Sequence, residues 1–168
     1  QRIALDDESW LDLQTGWVRN DQDLLRELLE ETTWEQESIT LFGRRVQQPR
    51  LTAWFGVGMD SATRYRTARP ALAWPPSLRP ILTNIQQHTD TQFNSALANL
   101  YRDGGDSVAW HADDEPALGD DPVIGSVSLG PPRRFRLRRR HRTSAFEPLL
   151  GGGDVVGWRG GATCLLPP

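Results

Sequence analysis

The order of elements along these 168 residues predicts an α+β protein, with an antiparallel double-sheet core and helices packed on one side. Three observations carry this expectation. Two stretches with helical periodicity lie within residues 1–90. Short extended runs broken by Gly, Pro and Asp turns fill the remainder. No apolar run approaches the roughly 20 residues that a bilayer-spanning helix requires.

Taken in order, residues 21–31 read as a helix that Asp21 caps, with Leu24, Leu25, Leu28 and Leu29 as its apolar stripe. A strand-like run from Ile39 to Phe42 ends at Gly43, and a second runs from Leu51 to Phe55. Gly56 to Pro76, rich in Gly, Pro, Ala and Arg, reads as a long surface loop. A second helix is predicted from Leu78 to Gln87, where Leu78, Ile81, Leu82 and Ile85 recur at helical spacing and Pro80 sits in the first turn. Five extended segments follow: Phe93–Tyr101, Ser107–Asp113, Val123–Leu129, Arg133–Arg140 and Asp154–Trp158. The length suits one domain, with residues 1–90 as an N-terminal extension and 91–168 as the core.

With 38% hydrophobic and 24% charged residues, the chain is neither disordered nor a membrane span. The lone Cys164 excludes a disulfide framework and a multi-cysteine zinc site, so a reducing cytoplasm is the simple expectation. All 19 basic residues are arginine. Charge is unevenly placed: residues 1–37 hold eleven carboxylates, whereas Arg133 to Arg142 hold seven arginines. A mildly acidic protein with one basic stripe hints at a polyanionic partner. Along that stripe Phe135 and Leu137 alternate with Arg134, Arg136 and Arg138, which equally describes a solvated strand that deters edge pairing.

The strongest local pattern is Trp110-His111-Ala112-Asp113-Asp114-Glu115. On a strand, His111 and Asp113 point to the same side, and together they can fill two adjacent positions of an octahedral metal, the first part of a two-histidine, one-carboxylate site. Taken alone, so short a pattern more often marks an acidic turn with a surface histidine. Upstream, Asn99 and Tyr101 share a face, where an amide and a phenol could hold a carboxylate-bearing molecule. Equally, Tyr101 could be packing and Asn99 a strand-end cap.

The ordered set Asn99-Leu100-Tyr101, His111-Ala112-Asp113-Asp114-Glu115, Ser126-Val127-Ser128-Leu129-Gly130 and Arg134-Phe135 resembles the AlkB-type dioxygenases, closest to their nucleic-acid repair branch. Gln48 to Gly56 is similar to the segment preceding that family's nucleotide-recognition loop. The resemblance implies a double-stranded β-helix (jelly-roll) core that uses Fe(II) and 2-oxoglutarate. It assigns His111 and Asp113 to iron, and Asn99 and Tyr101 to 2-oxoglutarate. Tyr65 falls where the family places an aromatic against a flipped base, and Asp114 and Glu115 match acidic residues near that base. Arg50, Arg134 and Arg136 are assigned to nucleic acid. The implied activity is oxidative removal of N-alkyl groups from bases in single- or double-stranded DNA, with RNA as the alternative substrate. Such a protein is expected to work as a monomer without a membrane.

The resemblance also implies a second iron histidine and two 2-oxoglutarate arginines downstream. Leu150 to Thr163 is similar to the turn and strand that precede them, but the sequence then reads Cys164-Leu165-Leu166-Pro167-Pro168. His141 lies in the arginine stripe and His88 at a helix end, and neither matches the motif. The expectation is therefore a core that stops short of the family's, with two of three iron ligands. A catalytically silent, nucleic-acid-binding relative is the competing reading.

Overall fold

The computed structural model describes residues 1–4, 10–56, 71–112, 122–139, 146–159 and 162–166. In chain order its elements are β1 (Arg2–Ala4), β2 (Trp10–Gln14), α1 (Asp21–Glu31), β3 (Ser38–Leu41), β4 (Arg44–Gln47) and β5 (Leu51–Gly56). Next come α2 (Leu78–Thr89), β6 (Ser95–Leu100), β7 (Val108–Ala112), β8 (Val123–Ser128) and β9 (Arg133–Arg134). The last four are β10 (Arg136–Arg139), β11 (Leu149–Leu150), β12 (Asp154–Arg159) and β13 (Ala162–Leu166). The strands pair antiparallel into a four-stranded sheet β1-β2-β12-β8, a three-stranded sheet β10-β13-β7, and the ribbons β11-β9, β3-β4 and β5-β6. This is a mostly antiparallel, jelly-roll-like arrangement with two helices. Neither helix is long and apolar enough to cross a membrane.

The sequence of β12 explains the layering. Side chains alternate across a strand, and β12 is apolar on both sides. On one side Val156 and Trp158 register with Leu13 and Leu11 of β2, and Trp158 also with Ile124 of β8. They pack against Phe135, Leu137 and Leu150 from the opposing strands, with the Phe135 and Trp158 rings 5.7 Å apart. On the other side Val155 registers with Val127, and the helices cover that face. There Val18, Leu24 and Leu28 form a second cluster with Leu78, Ile81, Val127 and Leu129. Gly125 on β8 makes this close approach feasible, because a Cβ there would lie 2.6 Å from Ile85 Cδ1 of α2.

Several sequence expectations are corrected. Asp21 is the first helical residue rather than the cap; Asn20 holds the cap position, and the Asp21 carboxylate instead accepts the Gly130 N–H at 3.4 Å. The second helix runs two residues beyond Gln87 and ends where Asp90 turns left-handed at φ 51°. The first strand stops at Leu41, because Phe42 (φ 49°) and Gly43 (φ 76°) form a tight hairpin turn into β4. Of the expected loop, residues 57–70 lie outside the described residues. Leu72 returns to bridge Phe55, and Trp74 stacks on the Phe55 ring at 6.3 Å. The arginine-rich strand divides into β9 and β10 at Phe135, although the Phe135 N–H, donated to the Pro148 carbonyl, keeps the register continuous across the gap.

Gly153 supplies the tightest turn constraint. At φ 81° it accepts the Val18 N–H at 2.9 Å, and a Cβ would overlap the Val18 carbonyl oxygen. Gly16 is also left-handed, at φ 61°, but has open space around it. Gly153→Ala is therefore expected to cost about 3 kcal/mol or more, from backbone strain and overlap together, against about 1 kcal/mol for Gly16→Ala. Urea denaturation of both variants checks this, and equal losses would contradict it.

Candidate active site

The β-sheet register decides which way His111 points. Directly opposed residues of an antiparallel sheet share a face, and Leu137 of β10, position 164 of β13 and His111 of β7 lie in one row. Leu137 is 1% exposed and belongs to the inner core, so the same face of β7 carries His111 inward. Its Nδ1 lies 2.9 Å from the Ala109 carbonyl oxygen two residues earlier. With Nδ1–H as the donor, Nε2 is the ring nitrogen that carries the lone pair. Metal-binding histidines are commonly oriented by such a backbone hydrogen bond.

The opposite face of the same sheet has another character. Two guanidinium groups lie against Trp110, with Arg138 4.1 Å and Arg136 5.4 Å from its ring centroid. The Arg136 Nε also donates to Glu147 Oε1 at 2.7 Å. Arg136 is thus paired on the side of the sheet away from His111. Arg134 is exposed on β9.

The second half of the site is built on the β5–β6 ribbon. Thr52 registers with Asn99 and Leu51 with Leu100, so Thr52 and Asn99 share one face of the ribbon, with Arg50 and Tyr101 following at its end. The Asn99 Oδ1 is buried and accepts no hydrogen bond among the described residues. The Arg50 Nε is likewise buried and without an acceptor among them. Burying such groups unsatisfied costs roughly 1–3 kcal/mol each, which a polar guest would offset. The Tyr101 hydroxyl is buried on the same ribbon.

A polar turn joins β6 to β7 and fixes one half of the site against the other. The Asp106 carboxylate, 4% exposed, accepts bonds from Arg102 Nε at 2.8 Å, Nη2 at 2.9 Å and the Arg102 backbone N–H at 2.9 Å. The Arg102 side chain, then its backbone N–H, hold Asp106 at a pKa of about 2 against the opposing effect of burial. Arg133 reaches in from β9, donating Nη1 to the Asp103 carbonyl at 3.0 Å and Nη2 to the Asp106 carbonyl at 2.6 Å. Its guanidinium carbon lies 4.7 Å above the Tyr101 ring. The Ser107 N–H then donates to the Pro49 carbonyl at 2.7 Å, setting the approach to β7 beside the approach to β5.

Asp113, Asp114, Glu115 and Tyr65 lie outside the described residues, as does His141. No cluster of three or more His, Cys, Asp or Glu side chains suited to a metal occurs among the described residues. What they contain fits the implied groups: an inward imidazole whose Nδ1–H is engaged by a backbone carbonyl, and an amide and a phenol on one strand that can each donate to a carboxylate-bearing molecule. Sequence reasoning missed Arg133 and the β3–β4 hairpin. Phe42 stands fully exposed at the hairpin tip, beside exposed Arg44 and Arg45. The Phe-Gly pair between Ile39, Leu41 and Val46 was the available signal for that turn.

The family described as the 2OG-Fe(II) oxygenase superfamily matches residues 13–163, and the chain belongs to it. Within it, the similarity is to AlkB-type members. The human "Alpha-ketoglutarate-dependent dioxygenase alkB homolog 3" is 42% identical over 117 residues, covering 70% of this chain and 41% of that protein. The Arabidopsis thaliana "DNA oxidative demethylase ALKBH2" is 37% identical over 122 residues, covering 70% of this chain and 39% of that protein. The chain thus spans about two-fifths of the length of the curated relatives it matches. A solved structure titled "The structure of OsALKBH1" superposes with a TM-score of 0.67 at 17% identity, covering 93% of this chain and 84% of that one, and supports the fold.

The depressed pKa of Asp106 has a pH consequence with a definite sign. A carboxylate at about 2 when folded, against its ordinary 3.8, adds stability that is fully present above 3.8 and lost as pH falls through about 2. Asp106→Asn should therefore be less stable than wild type at neutral pH, with the gap closing between pH 4 and pH 2. Urea midpoints measured across that range test it, and a gap independent of pH would count against the assignment.

Proposed function

We propose that this protein is an AlkB-type dioxygenase that removes alkyl groups from the nitrogens of nucleic-acid bases, DNA foremost, on a double-stranded β-helix core. The observation that carries this reading is the inward placement of His111, with its Nδ1 at hydrogen-bond distance from the Ala109 carbonyl. Fe(II) and 2-oxoglutarate, when bound, supply the oxidation of the alkyl carbon. His111, through Nε2, and Asp113 would hold the metal. Asn99, through its amide N–H, and Tyr101, through its hydroxyl, would donate to the carboxylate oxygens of the co-substrate.

A base alkylated on its pairing edge is unreachable in a duplex and must be extruded or already single-stranded. Tyr65 is the platform for the extruded base, with Asp114 and Glu115 at its polar edge and Arg50 and Arg134 toward phosphates. The β3–β4 hairpin supports a duplex substrate. An apolar ring exposed at a tip is costly in water, but it can wedge between base steps while the neighbouring Arg44 and Arg45 neutralise phosphates. The relatives are named as a dioxygenase and a demethylase, which supports an enzyme over a silent binding relative.

Formaldehyde release from N-methylated oligonucleotides by the full-length protein, with Fe(II) and 2-oxoglutarate supplied, is the direct test. His111→Ala should abolish it, by at least roughly 100-fold. Release by wild type that His111→Ala leaves intact would overturn the site assignment. Phe42→Ala should slow turnover of a duplex about tenfold, while changing a single-stranded substrate by less than about twofold. Equal slowing on both would remove the wedge from the mechanism.

A further inference from the structure

Arg133 opens the arginine stripe but does not share its direction. Alternation places Arg133 on the face of Phe135, which is 2% exposed in the inner core, whereas Arg134 and Arg136 face the other way. Its backbone is held in β9, which pairs with β11 through Arg133↔Leu150, and Leu150 belongs to the same core. From that anchorage the guanidinium makes three contacts among the described residues. Nη1 and Nη2 take the carbonyls of Asp103 and Asp106, and the planar face covers the Tyr101 ring at 4.7 Å.

We propose that Arg133 is a positioning residue for the co-substrate pocket, acting through the ring of Tyr101. This rests on the reading of Asn99 and Tyr101 as the residues that hold 2-oxoglutarate. A tyrosine just past the end of a strand can swing about χ1, and such a swing moves its hydroxyl by several ångströms. Arg133 limits that freedom from above, because two in-plane hydrogen bonds fix the guanidinium plane and the plane fixes the ring. The same two bonds hold the turn from Asp103 to Asp106, and so hold β6, which carries Asn99, against β7, which carries His111. Lysine cannot substitute, since a point charge on a flexible stem offers no plane to stack and no fork for two carbonyls. Arg102 cannot substitute either, because its side chain is engaged by Asp106.

The test is isothermal titration of 2-oxoglutarate into the full-length protein loaded with Mn(II), which reads binding without turnover. Arg133→Met and Tyr101→Phe should each raise the Kd about tenfold, and Arg133→Lys about three- to fivefold. The double variant Arg133→Met/Tyr101→Phe should show about 10- to 20-fold rather than about 100-fold, because the ring's orientation ceases to matter once its hydroxyl is gone. A double variant near 100-fold would show that Arg133 acts independently of Tyr101 and would overturn the proposal. So would an unchanged Kd in Arg133→Met. If Arg133→Met does not fold, the Arg133→Lys cycle with Tyr101→Phe decides the matter in the same way. Absence of binding by wild type would overturn the functional reading itself and this inference with it.

Discussion

The burial of β12 on both faces is the constraint from which the architecture follows. A strand flanked by neighbours on both edges and covered on both sides must be apolar at its centre, and the run Val155-Val156-Gly157-Trp158, between the charged ends Asp154 and Arg159, meets that demand. Fully burying a side chain of Val or Trp size contributes roughly 1.5–3 kcal/mol, and Val155, Val156 and Trp158 collect it against two different layers. The helices and the second sheet do not touch the same side of β12. They are held in relation to one another because this strand serves both.

The candidate site inherits its order from that layering rather than from the loops around it. Once Leu137 is committed to the inner core, sheet register leaves His111 no choice of side. The β5–β6 ribbon carries Asn99, and its junction with β7 is made of charge and backbone: Arg102 on Asp106, and Arg133 on two carbonyls. Apolar packing sets the direction of the imidazole, and polar bonding sets the distance between the two halves.

Much of this was legible in the letters. The helical stripes of Leu24 to Leu29 and Leu78 to Ile85 and the extended runs around Asn99, His111 and Val127 follow directly from periodicity. The ordered motifs pointed to the family before any coordinates. What escaped was what depends on partners distant in sequence. Trp10 to Gln14 alternates like a strand, but it lies in an acidic stretch and becomes recognisable only beside β12, over 140 residues away. Leu149–Leu150 is too short to signal a strand without β9. Alternation alone puts Arg133 on the side of Phe135 and Leu137, but nothing in the run of arginines signals that its guanidinium reaches the carbonyls of Asp103 and Asp106, 30 and 27 residues earlier.

One peptide bond separates Trp110, clasped by guanidinium groups on the outside, from His111, turned toward the interior. The strand is therefore a partition one residue thick, with independent neighbourhoods on its two sides. Surface change at position 110 and its arginine companions can accumulate by drift while the chemistry at position 111 stays fixed. A single β-strand thus lets the exterior of the protein diversify without passing that variation inward.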